Sequence, residues 1–264
     1  MKRKWKILIA AVLLVYVCGS VAATHIVFST EFHRVDAQTV SAWPLYADVA
    51  QDYPRRELRF YSGENLLTGW GYGEPGEALV VISHGLGATA ETYLPQTMWF
   101  VDQGYSVFTY DATGTGASQG KTTVGLSQSV LDLDAALNCV EEDSALSGLP
   151  LLLFGHSWGG YAAAEILAYD HDVTASVSLS GYAVPMKMMC ETASDYCGPA
   201  AYLGAPFVLL HQWVLFGSAA NGSAVDAVNG CAVPILIVQG LADTTVRPDG
   251  AALSAQREKL TNPK

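Results

Sequence analysis

A serine flanked by glycines follows an apolar run near the middle of the chain. Residues 155–160 read Gly-His-Ser-Trp-Gly-Gly, the run Leu151–Phe154 precedes them, and the helix-forming run Tyr161–Tyr169 follows. In a tight turn between a strand and a helix, such glycines avoid steric clashes and the serine hydroxyl rises above the sheet. The N-terminus of the helix favours negative charge that develops nearby. The pattern predicts Ser157 as the nucleophile of an acyl transfer; the alternative is a glycine-rich turn with an inert serine.

Acyl transfer also needs donors for the oxyanion and a carboxylate that orients the base. The loop after the apolar run Ala78–Ile82 contains Leu86, and we expect its amide to form the oxyanion hole with the amide of Trp158. Asp243 ends another apolar run and comes after Ser157, as the order Ser, Asp, His requires. Asp243 is therefore the predicted acid of the site.

Two other polar residues follow predicted strands. His84 is a possible base, but its position beside the oxyanion loop favours a structural role in bracing that loop. Asp111 begins the glycine-rich segment 111–118, and we expect it to cap and brace this segment rather than to act as the acid. No pair of His or Cys residues has the spacing of zinc ligands, and no cofactor is implied.

Short apolar strands that alternate with helices must position these residues. The predicted strands are Glu57–Tyr61, Leu66–Tyr72, Ala78–Ser83, Tyr105–Tyr110, Pro150–Phe154, Val173–Leu179 and Pro234–Gln239. The predicted helices are Glu91–Gln103, Leu126–Glu142, Trp158–Tyr169 and Pro248–Lys259. This alternation indicates an α/β fold with a mostly parallel sheet and helices on both faces.

Residues 181–230 interrupt the alternation and are predicted to form a helical lid. Prolines divide this segment, which is rich in methionine and aromatic residues, into short helices. Its apolar residues include Met186, Met188, Met189, Tyr202, Phe207, Trp213 and Phe216. They favour a hydrophobic acyl substrate, although the same residues can form the core of the lid.

Four motifs occur in the order found in the α/β-hydrolase superfamily. They are His84-Gly85-x-Gly87, Asp111-x-x-Gly114-x-Gly116-x-Ser118, Gly155-His156-Ser157-Trp158-Gly159-Gly160 and Gly240-x-x-Asp243. Over residues 57–264 the chain resembles the serine aminopeptidase, monoacylglycerol lipase and lysophospholipase-like branches of that superfamily. The resemblance implies a Ser-Asp-His triad, an oxyanion hole at Leu86 and Trp158, and a lid between strands six and seven.

The chain departs from the family pattern after Asp243. The family's histidine follows one more strand, whereas none of the 6 histidines here follows Asp243. The chain ends at Lys264, where the last strand is expected to begin. We therefore expect that strand to be missing. Three explanations remain open: a truncated sequence, a non-catalytic relative, or replacement of the base by His84 or His211.

The expected function is that of a serine hydrolase acting on an ester or amide of a small-molecule or lipid-like acyl substrate. One alternative is peptide hydrolysis at a substrate N-terminus, for which Glu191 and Asp195 in the lid are candidates to hold the amine. The other is a binding protein built on a non-catalytic hydrolase fold.

The first 23 residues have the composition of a membrane or targeting segment. Four basic side chains lie within Met1–Lys6, and Ile7–Ala23 is uncharged and mostly aliphatic. We expect a signal anchor with its basic end in the cytoplasm, or else a cleaved signal peptide. Either places the body outside the cytoplasm. Residues 24–56 are predicted to form a stalk or arm.

Charge and cysteine content limit the partners and the redox state. The net charge is −11, with 14 basic and 25 acidic residues. An acidic body repels phosphate backbones, so nucleic acid is not an expected partner. Outside the cytoplasm disulfides can form, and we expect a bridge between Cys190 and Cys197 across a loop; the alternative is free buried cysteine.

Overall fold

The fold is built on one seven-stranded sheet. The computed structural model describes residues 2–37, 44–73 and 75–263. Its strands are β1 (Arg55–Ser62), β2 (Asn65–Tyr72), β3 (Leu79–Ser83), β4 (Ser106–Asp111), β5 (Leu151–His156), β6 (Val173–Leu179) and β7 (Ile235–Val238). All seven predicted strands are therefore present, with ends that differ by at most two residues.

The strand order is β1-β2-β4-β3-β5-β6-β7. The first two strands form an antiparallel hairpin, and β2 is also antiparallel to β4. The remaining pairs are parallel, so the sheet is mostly parallel as predicted. Among the described residues no strand pairs with the outer edge of β7.

Eight α-helices lie among the described residues. They are α1 (Lys2–Glu31), α2 (Tyr46–Val49), α3 (Leu94–Asp102), α4 (Gln128–Glu142), α5 (Trp158–Glu165), α6 (Pro185–Cys197), α7 (Ala201–Phe216) and α8 (Ala224–Asn229). Helices α4 and α5 belong to the larger core on one face of the sheet. Helix α3 packs in a second core on the other face. Both faces are therefore covered.

Helix α1 continues past the boundary predicted at residue 23. It ends at Glu31, and Phe28, Phe32 and Val35 are buried against the domain. The guanidinium of Arg34 donates to the carbonyls of Gly116, Ser118 and Gly120 at 2.7–3.0 Å. The first part of the predicted stalk is therefore packed on the domain, because it has its own apolar side chains to bury. Residues 38–43 lie outside the described residues.

Three helices, α6, α7 and α8, occupy the predicted lid between β6 and β7. The expected disulfide between Cys190 and Cys197 is wrong, since both thiols are free and both residues lie in α6. Seven residues of helix separate them by about 10 Å, beyond the Cα spacing that a disulfide accepts. The helix predicted over Pro248–Lys259 is instead a 3₁₀ helix over Leu253–Lys259.

Candidate active site

Ser157 lies in a strained turn between β5 and α5. Its φ is 55° and its ψ is −110°, a left-handed conformation that residues with a side chain rarely adopt. The turn is fixed by its amide, which donates to the carbonyl of Leu179 on the adjacent strand at 2.8 Å. Backbone strain of this kind is retained only where surrounding contacts hold it.

The glycines around Ser157 are required by close backbone contacts. A Cβ on Gly155 would lie 2.0 Å from the carbonyl oxygen of Gly159. A Cβ on Gly159 would lie 2.0 Å from the carbonyl oxygen of Ser83 at the end of β3. No side chain fits at either position. The glycines thus allow the turn to close and α5 to start directly against the loop after β3.

The Ser157 side chain is half-buried and stands at the start of α5. Among the described residues its hydroxyl has no hydrogen-bond partner, in contrast to Ser176 and Ser178, which donate to backbone carbonyls. Because the first amides of a helix have no partner within it, this hydroxyl lies beside unpaired donors. Such an arrangement is suited to attack on a carbonyl and to binding the oxyanion that follows.

The predicted oxyanion loop lies next to this turn. Strands β3 and β5 are parallel neighbours with Ser83 opposite Gly155, so their following loops leave the same edge of the sheet. Leu86 is exposed in the first of these loops, and its amide donates to no described backbone group. The Trp158 side chain is buried, and its indole N–H donates to the carbonyl of Leu126 at 2.9 Å.

A tyrosine not predicted from the sequence links the oxyanion loop to the nucleophile turn. The Tyr93 hydroxyl accepts from the amide of Gly85 at 3.1 Å and lies 2.5 Å from Nδ1 of His156. Burial lowers the pKa of His156, and the nearby carboxylate of Asp243 opposes that shift. No local pattern signals Tyr93, because it lies in a 3₁₀ turn distant from both partners in the chain.

His84 has the bracing role that the sequence favours. Its Nε2 accepts from the amide of Ala112 at 3.0 Å, so its Nδ1 carries the proton and donates to the carbonyl of Gly85 at 2.8 Å. The ring is 2% exposed, and this burial lowers its pKa. Both nitrogens are occupied, so His84 is not placed to act as the base.

Asp111 also braces its loop, as predicted. Its carboxylate accepts from the amides of Ala90 at 2.8 Å and Ala117 at 2.7 Å. A Cβ on Gly116 would lie 2.0 Å from Oδ2 of this carboxylate. Asp111 therefore ties the loop after β4 to the segment before α3.

Asp243 lies on the loop after β7 and is half-buried. Its Oδ1 accepts from the amides of Thr245 and Val246, each at 2.9 Å, and its Oδ2 accepts from the side-chain amide of Gln239 at 3.1 Å. These contacts hold the carboxylate in one orientation. Strands β5, β6 and β7 are parallel neighbours, so the loop that carries Asp243 leaves the same edge of the sheet as the turn at Ser157.

Among the described residues no histidine is hydrogen-bonded to Ser157 or Asp243. His211, the other candidate base, packs edge-to-face on Phe28 with 4.3 Å between ring centroids. His171 is bound by acidic side chains of α4, at 2.8 and 2.9 Å. Of the predicted site residues, Leu86, Ser157 and Asp243 therefore lie on loops that leave one edge of the sheet.

The same architecture occurs in solved structures of esterases and related hydrolases. An esterase from Pyrococcus furiosus superimposes with a TM-score of 0.63 and 19% identity, over 86% of this chain and 83% of that one. An α/β hydrolase from Vibrio vulnificus gives a TM-score of 0.60 and 20% identity, over 81% and 72% of the two chains. The fold is therefore that of the α/β-hydrolases.

A family model described as serine aminopeptidase, S33, matches residues 74–196. The matched segment includes Leu86, Asp111 and Ser157 and ends before Asp243. This match covers a little less than half of the chain and agrees with the α/β-hydrolase fold.

Curated relatives align over about half of the chain. A polyketide transferase of Aspergillus fumigatus is 29% identical over 133 residues, 48% of this chain and 45% of that protein. A putative carbamate hydrolase of Variovorax paradoxus is 31% identical over 144 residues, 52% of each chain. The chain thus spans about half the length of the curated relatives it matches.

Proposed function

We propose that this protein is a serine hydrolase in which Ser157 forms an acyl-enzyme with an ester or amide substrate. The observation that carries the proposal is the left-handed turn at Ser157, which holds an unpartnered hydroxyl at the start of α5. Strain there costs about 1–3 kcal/mol, and close glycine contacts on both sides of the serine maintain it. The match to the family model supports a hydrolase-like chemistry.

In the proposed reaction the Ser157 oxygen attacks the carbonyl carbon of the substrate. The amides of Leu86 and Trp158 donate to the resulting oxyanion, and its collapse releases the alcohol or amine. Water then hydrolyses the acyl-enzyme and restores the serine. A base must take the serine proton and return it to the departing alcohol or amine. Asp243 is proposed to orient this base, and none of the six histidines of the chain is hydrogen-bonded to Asp243.

The substrate is proposed to be a small-molecule or lipid-like acyl compound. The relatives are named for polyketide transfer and carbamate hydrolysis, so the leaving group differs among them. The alternative of an aminopeptidase is less well supported, because the lid acids are already engaged. Glu191 accepts from the amide of Ala251 at 2.7 Å, and Asp195 pairs with Arg247 at 2.8 Å.

The chain is proposed to consist of a membrane anchor, an arm and a hydrolase domain, with the bounds that the sequence predicts. Helix α1 is long and apolar enough to cross a bilayer, and its residues are largely unburied. We propose that residues 7–23 anchor the protein and that the hydrolase domain, residues 57–264 with its lid at about 181–230, lies on the extracytoplasmic side. Four basic side chains before the span favour a cytoplasmic N-terminus.

Labelling of Ser157 tests the proposal directly. We expect a fluorophosphonate probe to modify the full chain in detergent or vesicles, and Ser157→Ala to abolish the modification. Because no histidine is placed as the base, we also expect added imidazole to accelerate hydrolysis of p-nitrophenyl esters by the wild type and not by Ser157→Ala. Ser176→Ala is the matched control, since that serine is buried and bound to a carbonyl. Absence of both labelling and imidazole-dependent turnover would favour a binding protein.

A further inference from the structure

A cavity of about 530 Å³ lies between the end of α5 and the start of α8. Its volume is in the range of cavities that hold small organic molecules. Glu165, which forms part of its wall, is the last residue of α5, and Ser157 precedes the first. The two residues are therefore about 12 Å apart along the helix axis, and the cavity is separate from the nucleophile turn.

Two buried polar side chains beside this cavity lack hydrogen-bond partners. Glu165 is 8% exposed, and its Oε2 has no partner among the described residues. Tyr161, one turn earlier on α5, is fully buried, and its hydroxyl has no partner among them either. Unpaired polar atoms inside a folded protein are rare, and they indicate a bound group that supplies the missing contact.

Gly222 brings these two side chains to the wall of the cavity. A Cβ on Gly222 would lie 2.1 Å from the Tyr161 hydroxyl oxygen and 2.9 Å from Oε1 of Glu165. The hydroxyl and the carboxyl therefore lie close together beneath a residue that itself lines the cavity. The last torsion of a glutamate side chain is broad, so a small rotation turns either carboxyl oxygen towards the cavity.

The wall of the cavity is negatively charged. It includes Glu165 and Asp226 and no Lys or Arg among the described residues. The chain has no Lys or Arg between Lys121 and Lys187 or between Lys187 and Arg247, so the segments that form the wall contain no basic residue. Among the described residues neither acid takes part in an ion pair.

The carboxyl of Glu165 responds to this lack of a positive partner. Burial raises its pKa to about 7, the amide of Ser223 opposes the shift, and the charge of Asp226 adds to it. Buried carboxylates are stable when a cation or several donors accompany them. A positively charged ligand would therefore complement the cavity.

The lining favours an organic ammonium ion over a bare metal ion. Among the described residues no group of three or more His, Cys, Asp or Glu side chains is placed to hold a metal. Leu167, Ala168 and Ala219 add apolar surface to the wall. An ammonium group has three donors for carboxylate and hydroxyl oxygens, and an alkyl chain fits the apolar part of the wall.

We propose that this cavity binds a small aliphatic amine, whose ammonium group donates to Glu165 and Tyr161 and whose alkyl chain lies along Leu167 and Ala219. Asp226 is exposed at the start of α8 and attracts the cation by its charge. The amine supplies the contacts that the buried carboxyl and hydroxyl lack. The proposal does not depend on the hydrolase chemistry, because neither side chain takes part in it.

Calorimetry with n-butylamine tests the proposal. The full chain in detergent is titrated at pH 8, where the amine is charged and the Glu165 carboxyl is largely ionised. We expect weak but saturable binding of n-butylamine. The control ligand is 1-butanol, which has the same alkyl chain and no charge, and we expect it not to bind.

Three variants locate the binding. Glu165→Gln keeps the shape of the side chain and removes its charge, so we expect binding about tenfold weaker or more, as for the loss of one hydrogen bond to a charged group. Tyr161→Phe should also weaken binding, although it retains the ring that stacks on Tyr182 with 4.6 Å between centroids. Glu258→Gln, at an exposed position, is the matched control and should bind as the wild type does.

Melting temperatures measured beside the titrations separate loss of the site from loss of the fold. Glu165→Gln removes an unpaired buried charge at pH 8, so it should unfold no earlier than the wild type, and weaker binding then reflects the lost contact. No saturable binding of n-butylamine, or equal affinity in Glu165→Gln and the wild type, overturns the proposal. Stabilisation by calcium chloride but not by n-butylamine also overturns it and assigns the cavity to a metal ion.

Discussion

Ser157 and Glu165 lie at the two ends of α5 and show two effects of the fold on a polar side chain. At Ser157 the backbone is strained and the hydroxyl is left without a partner. At Glu165 the carboxyl is buried, and its Oε2 has no hydrogen-bond partner among the described residues. The serine was predicted from flanking glycines, whereas nothing near Glu165 in the chain indicates burial.

Glu165 gives the protein a pH-dependent stability. Burial raises the pKa of its carboxyl to about 7 from 4.5. The folded state therefore holds the proton between these pH values while the unfolded state does not, and stability falls as the pH rises through that window. The difference corresponds to roughly 3 kcal/mol when fully developed. We expect the melting temperature of the wild type to be lower at pH 8 than at pH 5.

The variant Glu165→Gln tests this explanation. Its side chain cannot ionise, so we expect a nearly flat melting temperature from pH 5 to pH 8 and a more stable protein than the wild type at pH 8. Glu258→Gln, at an exposed position, is the matched control and should retain the wild-type slope. An unchanged slope in Glu165→Gln would assign the pH dependence to another group.

Among the elements, the contact between α5 and the loop after β3 sets the geometry of the site. We expect Gly159→Ala to destabilise the fold by about 2 kcal/mol or more, because its Cβ would lie 2.0 Å from the Ser83 carbonyl oxygen. We also expect slower probe labelling of Ser157, since the oxyanion loop must move. Urea unfolding and labelling rates measure the two effects.

Gly204→Ala is the matched control for that change. Gly204 lies within α7 with open space around its Cα, so the added methyl should stabilise the helix by about 1 kcal/mol. A Gly159→Ala variant that labels at the wild-type rate would show that α5 and the β3 loop are not closely coupled.

The sequence predicts the bounds of a strand or helix well where one type of residue dominates the segment. Val173–Leu179 matches β6 at both ends, because an apolar β-branched run between turns has few alternatives. The sequence predicts a loop with a disulfide over Cys190–Cys197, whereas the structure has a helix there. Two cysteines seven residues apart are compatible with either structure, and the packing of the lid decides between them.

For the whole molecule, the exposed edge of the sheet at β7 is a surface through which copies of the chain can associate. Leu236 is 60% exposed and Val238 is 39% exposed on this strand, and no described strand covers its outer edge. Exposed apolar edge strands associate with one another. We expect the detergent-solubilised chain to self-associate and Leu236→Lys to reduce this association, as measured by light scattering after size-exclusion chromatography.

Leu241→Lys separates edge pairing from general hydrophobicity. Leu241 is 91% exposed but lies in the loop after β7, so this substitution should leave association nearly unchanged. If both lysine variants reduce association equally, overall surface polarity rather than the strand edge controls it.

The order of residues by itself determined the α/β class, the positions of the strands and the choice of Ser157 as the candidate nucleophile. Each of these depends on neighbours within a few residues. Only the tertiary structure decided that His84 is fully occupied, that Tyr93 joins Gly85 to His156, and that α1 packs along α7. The contacts of His84 with Ala112, of Tyr93 with His156 and of Tyr16 with Phe207 join segments far apart in the chain. Their partners are set by how the sheet and helices pack, and no short pattern carries that information.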